Sequence, residues 1–399
     1  MKNLLRYTLY TILVIVLVAG ALLLWLRFEF ERVQQDSDTL STWDQVSVQT
    51  LDDDPQIQQP CLHYYPEKRA FFGDLHVHTA ASYDSTSFGV TTTVDEAYSF
   101  ARGTPLPLRL LGDPPEYQAP MLHIGTPLDF AAVTDHAEAL GETRLCYTTD
   151  HSAYGSLVCR LYRGDVRLPV EEKMQSLMRL ASFAIFGQDR STRVCGEDGS
   201  LCRDTAVEVW RENQRSTEAW QDHSEECEFT TFHAYEYTLA DQASNLHRNV
   251  IFKSSTVPQA PLSAKDAPRP EQLWGWLDET CIEGNSSCDV LAIPHNSNWS
   301  SGRMWFPYTN QDLSLQEQQR LAALRARLEP LAEMMQVKGD SECRNGIASV
   351  IGAADELCDF EKLRPPSEVI PDCGEEFSSG GMMLKGCVSR YSFVRYALT

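Results

Sequence analysis

The chain has 399 residues and 43% apolar content, enough for one large domain or two small ones with a full core. Its 34 basic and 56 acidic side chains give a formal charge of −22, which speaks against nonspecific binding to nucleic acid or anionic lipid. An anionic substrate stays open, because bound metal ions would reverse the sign locally.

Leu9 to Trp25 is an uncharged run preceded by Lys2 and Arg6; extended by Leu26, it just reaches one bilayer crossing. No small-x-small cleavage site follows, and Leu24-Trp25-Leu26-Arg27-Phe28 stays bulky and then turns charged, which favours an uncleaved anchor. Basic residues ahead of the run place the N-terminus in the cytoplasm and the remainder outside. Residues 1–28 are therefore expected as a single-pass anchor in the inner (cytoplasmic) membrane and polar 29–60 as a stalk. Residues 61–399 are expected as one domain on the periplasmic or extracellular side. Twelve cysteines fit that compartment. Cys195/Cys202, Cys281/Cys288, Cys343/Cys358 and Cys373/Cys387 lie close in sequence near turn residues, and no CxxC supports a zinc ribbon or redox site.

Phe71 to Asp84 reads FFGDLHVHTAASYD. Asp74, His76 and His78 alternate with Leu75 and Val77, so a strand would project them from one face; Asp84 follows on the loop leaving it. Thr93 to Arg102 reads as a short helix with Asp95 and Glu96 in its first turn, and Gly103 to Pro127, rich in Pro and Gly, as a loop. Leu128 to His136 suits a buried parallel strand with Asp135 and His136 at its C-terminal end. Residues 137–207, partly helical with Val170 to Phe186 apolar at helical spacing, are expected as an insertion forming a lid or rim. Thr205 to Ser224 is an amphipathic helix. Phe229 to Tyr237 is a third strand carrying Glu236, and His247-Arg248-Asn249 leads into a fourth at Val250 to Phe252. After a helix over Pro270 to Glu279 comes a fifth strand, Asp289 to His295, followed by Asn296. A charged helix over Leu313 to Glu329 precedes a sixth strand, Leu331 to Lys338, which carries Glu333 and leads to Glu342.

Core histidines and solvated glutamates occur singly; His76/His78, His136, Glu236, His295 and Glu333/Glu342 recur at successive strand ends. Nitrogen and carboxylate donors without cysteine suit Zn, Mn or Fe, in sites of the multinuclear hydrolytic kind. Asp74 reads as a carboxylate that orients a histidine, Asp135 as the same or as a cap of the turn, and Arg248, Asn296, Arg303 and Lys338 as groups for an anion or as solvated and packing residues. His63, His123, His151, His223 and His233 read as structural.

The ordered motifs GDLHVHT, VTDHAEALG, YEY, NLHRNVIF, IPHNSN and EMMQVKGDSEC resemble the PHP (polymerase and histidinol phosphatase) superfamily, and more closely its exported branch DUF3604, from about Phe71 to Arg395. The resemblance implies an α/β fold, a distorted (β/α)7 barrel with a trinuclear metal site, and hydrolysis of phosphoesters. By motif, His76 and His78 would bind a first metal and Glu236 would bridge two. Asp84, in the place of a family histidine, would serve the third with His136, and His247 and His295 would complete the second. Glu236, His136 and Arg248 are the expected catalytic groups. The family's closing Asp-x-His strand has no counterpart after Lys338, so the chain is expected to lack its last strand and to be weakly active. The function expected is metal-dependent hydrolysis of an anionic phosphate ester with two or three divalent ions. Sulfate-ester hydrolysis is the enzymatic rival (though no Cys-x-Pro-x-Arg of the formylglycine type is present), and a non-catalytic metal- or ligand-binding surface domain the other. No nucleic acid partner is expected.

Overall fold

The computed structural model describes residues 48–50 and 67–397, except 111–112, 114–115, 167–178, 180–189, 242–243, 285–286, 306–312, 348–354, 375 and 380–384. The expected anchor Leu9–Trp25, all of the expected stalk but 48–50, and the apolar stretch Val170–Phe186 apart from Arg179 lie outside those residues. Among the described residues no helix is long and apolar enough to cross a membrane.

Five strands form the central sheet: β1 (Gly73–Val77), β2 (Phe130–Val133), β3 (Thr230–Tyr237), β4 (Arg248–Phe252) and β5 (Val290–Pro294). Their spatial order is β5-β4-β3-β2-β1, curled into a half-barrel. β1, β2 and β3 run parallel, whereas β4 is antiparallel to both neighbours. Reversal follows from the connection: only Thr238 to His247 join β3 to β4, and a parallel crossover needs a dozen residues or more. The link instead folds back through a small turn pairing Ala240–Asp241 with Ser244–Asn245. The start of β4 therefore lies beside the end of β3.

The expected sixth strand does not join the sheet. Only Met335–Gln336 pairs, with Gly339–Asp340, and the Glu333 N–H donates to the Pro294 carbonyl at 3.1 Å. Leu331, Met335 and Val337, the apolar members of its alternation, face solvent. The segment is a strap across the end of β5 rather than a strand, and the described sheet stays open instead of closing as a barrel. Two other expected irregular stretches gain short pairings: Leu106–Pro107 with Met121–Leu122, and Val48–Thr50 with Thr256–Pro258.

One face of the sheet carries Leu75, Ala132, Ala234, Ile251 and Ile293 as a thin apolar layer. The other face is thicker. Tyr235, Val250, Phe252, Val290 and Ala292 pack there with Trp210, Leu273, Trp274 and Leu328, which come from α3 (Ser200–Trp220), α4 (Pro270–Leu277) and α5 (Leu315–Leu328). α1 (Val94–Ala101) starts with a capping box between Thr93 and Glu96, and its Tyr98 and Ala101 pack under β2. At Gly73 a Cβ would stand 2.2 Å from the Phe130 ring and 2.3 Å from the Phe130 carbonyl. Glycine there lets β1 approach β2.

The insertion contains α2 (Leu140–Tyr147), a helix at Leu157–Arg163 and a turn at Thr192–Cys195. Cys146–Cys159 and Cys195–Cys202 tie these pieces together around Tyr83, Ala139 and Tyr162. Its described parts form a side wall next to Tyr83. With Cys281–Cys288, Cys343–Cys358 and Cys373–Cys387, the five disulfides between described cysteines have Cα separations of 4.7–5.2 Å, within the usual span. All four sequence-neighbour pairs are therefore joined, which hints at an oxidising, extracellular or periplasmic setting.

Candidate metal centre

Every expected ligand reaches one end of the sheet. His76 and His78 leave β1, His136 follows β2, Glu236 is in the last turn of the pleat of β3, His247 immediately precedes β4 and His295 immediately follows β5. Backbone bonds hold these ends in register: the Glu236 N–H donates to the Asp135 carbonyl at 3.0 Å, and the His295 N–H to the His247 carbonyl at 3.1 Å. The reversal of β4 is what brings His247 to this end.

Glu236 is wholly buried at the centre. Its Oε2 lies 3.2 Å from His76 Nε2 and 3.0 Å from His78 Nε2, and those two nitrogens are 3.0 Å apart. A triangle with such edges subtends about 90–100° at a shared cation with bonds of about 2.1 Å. Glu236 Oε1 sits 2.5 Å from His247 Nδ1, an ion-pair contact when that imidazole is protonated. On the far side, Asp84 Oδ2 lies 3.0 Å from His136 Nε2. Three overlapping groups thus offer ligand atoms within 4.8 Å of one another: His76/His78/Glu236, His78/Asp84/His136 and His136/Glu236/His247. His295 stacks beside them, its ring centroid 5.3 Å from His76 and 5.1 Å from His247. A fourth group, Glu142 with Cys195 and Cys202, offers no thiolate because both sulfurs are in a disulfide.

The outer nitrogens are occupied. Nδ1 of His76 meets Glu333 Oε1 at 2.9 Å, that of His78 meets Ser82 Oγ at 2.8 Å, that of His136 meets Thr238 Oγ1 at 2.5 Å, and that of His295 meets the Asn296 carbonyl at 2.6 Å. Partners of this kind fix an imidazole's tautomer and turn its Nε2 lone pair inward, the arrangement of ligating histidines. Gln336 stands 3.0 Å from the Nε2 of His295. Of these partners only Glu333 and Asn296 stand out in the sequence; buried hydroxyls such as Ser82 and Thr238 carry no periodic or charge signal.

Charges in the pocket act strongly on one another. Burial disfavours a charged His76, yet Glu236 and Glu333 outweigh it and push the imidazole up to about 10; Asp84 and Glu236 likewise carry His136 up to about 9 against burial. Burial would raise the Glu236 and Asp84 carboxyls, but the surrounding imidazoles hold both well below the ordinary carboxylate range. His247 and His295 are pulled down, first by burial.

Several expected site residues are engaged elsewhere. Arg248 is fully buried with its Nε 2.9 Å from Glu329 Oε1, on the opposite side of β4 from the pocket; it braces α5 rather than meeting substrate. Glu342 pairs with Arg395 at 2.6 Å. Asp74 is exposed and accepts only the His76 N–H at 3.0 Å among the described residues. Asn296 uses its side chain as a brace, donating to the Met334 and Gly339 carbonyls at 2.7 and 3.2 Å and accepting from Ser341 at 2.6 Å. Asp135 accepts the Thr79 N–H and hydroxyl, both at 2.7 Å. Arg303 lies over the Phe377 ring. Lys338 does lie near the pocket: its Nζ is 5.2 Å from the Trp299 ring and its charge depresses His295. His233, read as structural, pairs with Glu218 at 2.6 Å.

The curled α/β sheet gathers five histidines and two carboxylates at one end, in groups that could hold a metal ion. The chain belongs to the family described as "Protein of unknown function (DUF3604)", whose model matches residues 65–399. No curated protein and no solved structure matches it.

Proposed function

We propose that this protein is an exported, membrane-anchored metal-dependent hydrolase of phosphate esters with a PHP-type half-barrel core. The reading rests on one observation above all: two imidazole Nε2 atoms and a buried carboxylate oxygen lie 3.0–3.2 Å apart. Glu333 holds the outer nitrogen of His76, and two imidazole nitrogens approach so closely only with positive charge between them. A proton can supply that charge, and the donor set equally fits a divalent ion.

Two or three divalent ions (Mn, Zn or Fe) would supply a low-pKa water and neutralise an anionic ester. His76, His78 and Glu236 would hold one, Asp84 and His136 with shared His78 a second, and Glu236 with His247 and His295 a third. Glu236 reaches two of these places, since its oxygens face different imidazoles. Glu333 orients His76, and Thr238 orients His136. Lys338, set against Trp299, brings a cation to the pocket side where an ester's anionic oxygens would lie. The described parts of the 137–207 insertion wall the pocket through Tyr83, whose ring is 4.8 Å from His136. The five disulfides support the exported setting, and Leu9–Trp25 the anchor.

The test is hydrolysis by the full chain of an aryl phosphate and an aryl sulfate, with and without added Mn or Zn, alongside metal analysis. Metal-dependent phosphate release is expected. Faster sulfate release, or bound metal without turnover of either ester, overturns the proposal.

A further inference from the structure

Alone among the expected ligands, His295 joins none of the converging groups of ligand atoms found among the described residues. Its two ring nitrogens are both taken by the chain itself. Nδ1 meets the Asn296 carbonyl at 2.6 Å, and a carbonyl oxygen only accepts, so this nitrogen carries a proton. Nε2, which would have to face an ion, is 3.0 Å from the side-chain amide nitrogen of Gln336. That amide nitrogen also donates to Glu333 Oε2 at 3.2 Å, an oxygen that accepts the Asn296 N–H at 2.7 Å as well. An amide nitrogen has two hydrogens to give and no lone pair to offer, so His295 Nε2 takes the second of them.

The strap holds Gln336 in this place. Met335–Gln336 pairs with Gly339–Asp340, and Gly339 turns the chain at a φ of +105°. Asn296 donates to the Met334 and Gly339 carbonyls, one on each leg of the hairpin. The backbone is thus braced, while the Gln336 amide is held by its two donors alone, for its Oε1 is buried without a hydrogen-bond partner among the described residues.

We infer that Gln336 is a stopper on His295: its amide fills the place where an ion on that imidazole would sit, and the place opens when the Gln336 side chain turns aside. This rests on the metal reading above. A cation bonded to Nε2 at about 2.0–2.1 Å would lie against the amide hydrogens, so the two exclude one another. The groups built on His76, His78, Asp84, His136 and Glu236 carry no such stopper. They load first, and the place on His295 loads last.

The test uses the full chain with Zn as the probe, in wild type, in Gln336→Ala and in Met335→Ala, a control on the same hairpin whose side chain is 41% exposed. In protein stripped with a chelator, nitrogen-15 NMR should show a coupling between the Gln336 amide nitrogen and His295 Nε2 across their hydrogen bond. Calorimetric titration should show the weakest Zn step about tenfold tighter in Gln336→Ala, the worth of one or two released neutral hydrogen bonds, and unchanged in Met335→Ala. In wild type the coupling should survive the tighter steps and vanish at the weakest. A missing coupling, a weakest step no tighter in Gln336→Ala, or an equal gain in Met335→Ala overturns the inference while the metal reading stands. If no form binds Zn, the metal reading fails and this inference with it.

Discussion

Arg248 separates a substrate role from a structural one. Its guanidinium Nε is 2.9 Å from Glu329 Oε1, which also accepts the Trp274 indole N–H at 2.8 Å, while Oε2 takes Arg325 Nε at 2.9 Å. Arg248 and Glu329 are both almost wholly shielded, at 1% and 2% exposure. Removing Glu329 takes the carboxylate from the buried Arg248 guanidinium, a cost of about 3–5 kcal/mol, whereas removing Arg248 leaves Glu329 its ion pair with Arg325 and costs less. Replacing both by apolar residues of similar volume removes the stranded charge, and such exchanges are often neutral. Glu329→Leu alone should therefore lose about 3–5 kcal/mol in urea unfolding monitored by tryptophan fluorescence, and Arg248→Met alone about 1–3 kcal/mol. The double variant should recover most of the loss, by the logic of a double-mutant cycle. In each case the folded fraction should keep the KM of wild type for any ester turned over. An Arg248→Met protein as stable as wild type but with a greatly raised KM would refute this reasoning and return Arg248 to the pocket.

Glu236→Gln keeps the shape and removes the central charge, so bound metal measured by elemental analysis should fall; unchanged stoichiometry contradicts the bridging role. Metal loading should release protons, because His76 and His136 are pushed up to about 10 and about 9 in the metal-free pocket. Apparent affinity should then rise with pH toward that range and fall as pH drops; titration calorimetry in two buffers checks it, and no proton release at pH 7 would contradict it. Gly73→Ala should force β1 away from β2 at a cost of about 1–3 kcal/mol or more, seen as a lowered urea midpoint; an unchanged midpoint would show the contact relaxes freely.

Alternation in GDLHVHT was enough to place His76 and His78 on one strand end, because a period of two leaves few alternatives. Apolar runs located β2, β3 and β5 as well, and the ligands at their ends followed. Strand direction was less legible. Val250-Ile251-Phe252 reads the same either way, and only the short link from Thr238 to His247 betrays the reversal. Leu331 to Lys338 misled because its alternation imitates a half-buried strand. Its backbone instead bonds Pro294, Asn296 and Ser341, which lets Glu333 turn onto His76. Arg248 sits beside a ligand in sequence, yet neighbours on a strand face opposite ways. Ser82 and Thr238 were invisible because a hydroxyl gains its meaning only from the nitrogen it meets.

The parallel seam between β2 and β3 divides the chain as well as the sheet. β1 and β2 come from residues 73–133, whereas β3 to β5 come from 230–294, and the strands of the two halves pair along Phe130–Ala132 and Thr230–Phe232, with one more bridge at His136 and Glu236. Glu236 from the second half and the histidines from the first meet directly above that short seam. A cation held between them would work as a clasp, fastening early sequence to late sequence at the open rim of the half-barrel. Its binding energy would add to folding stability by mass action. Cys195–Cys202 gives the same division a covalent safeguard: a cut at the exposed Glu197–Asp198 turn leaves the halves still joined through sulfur. Such a nicked protein would keep its clasp.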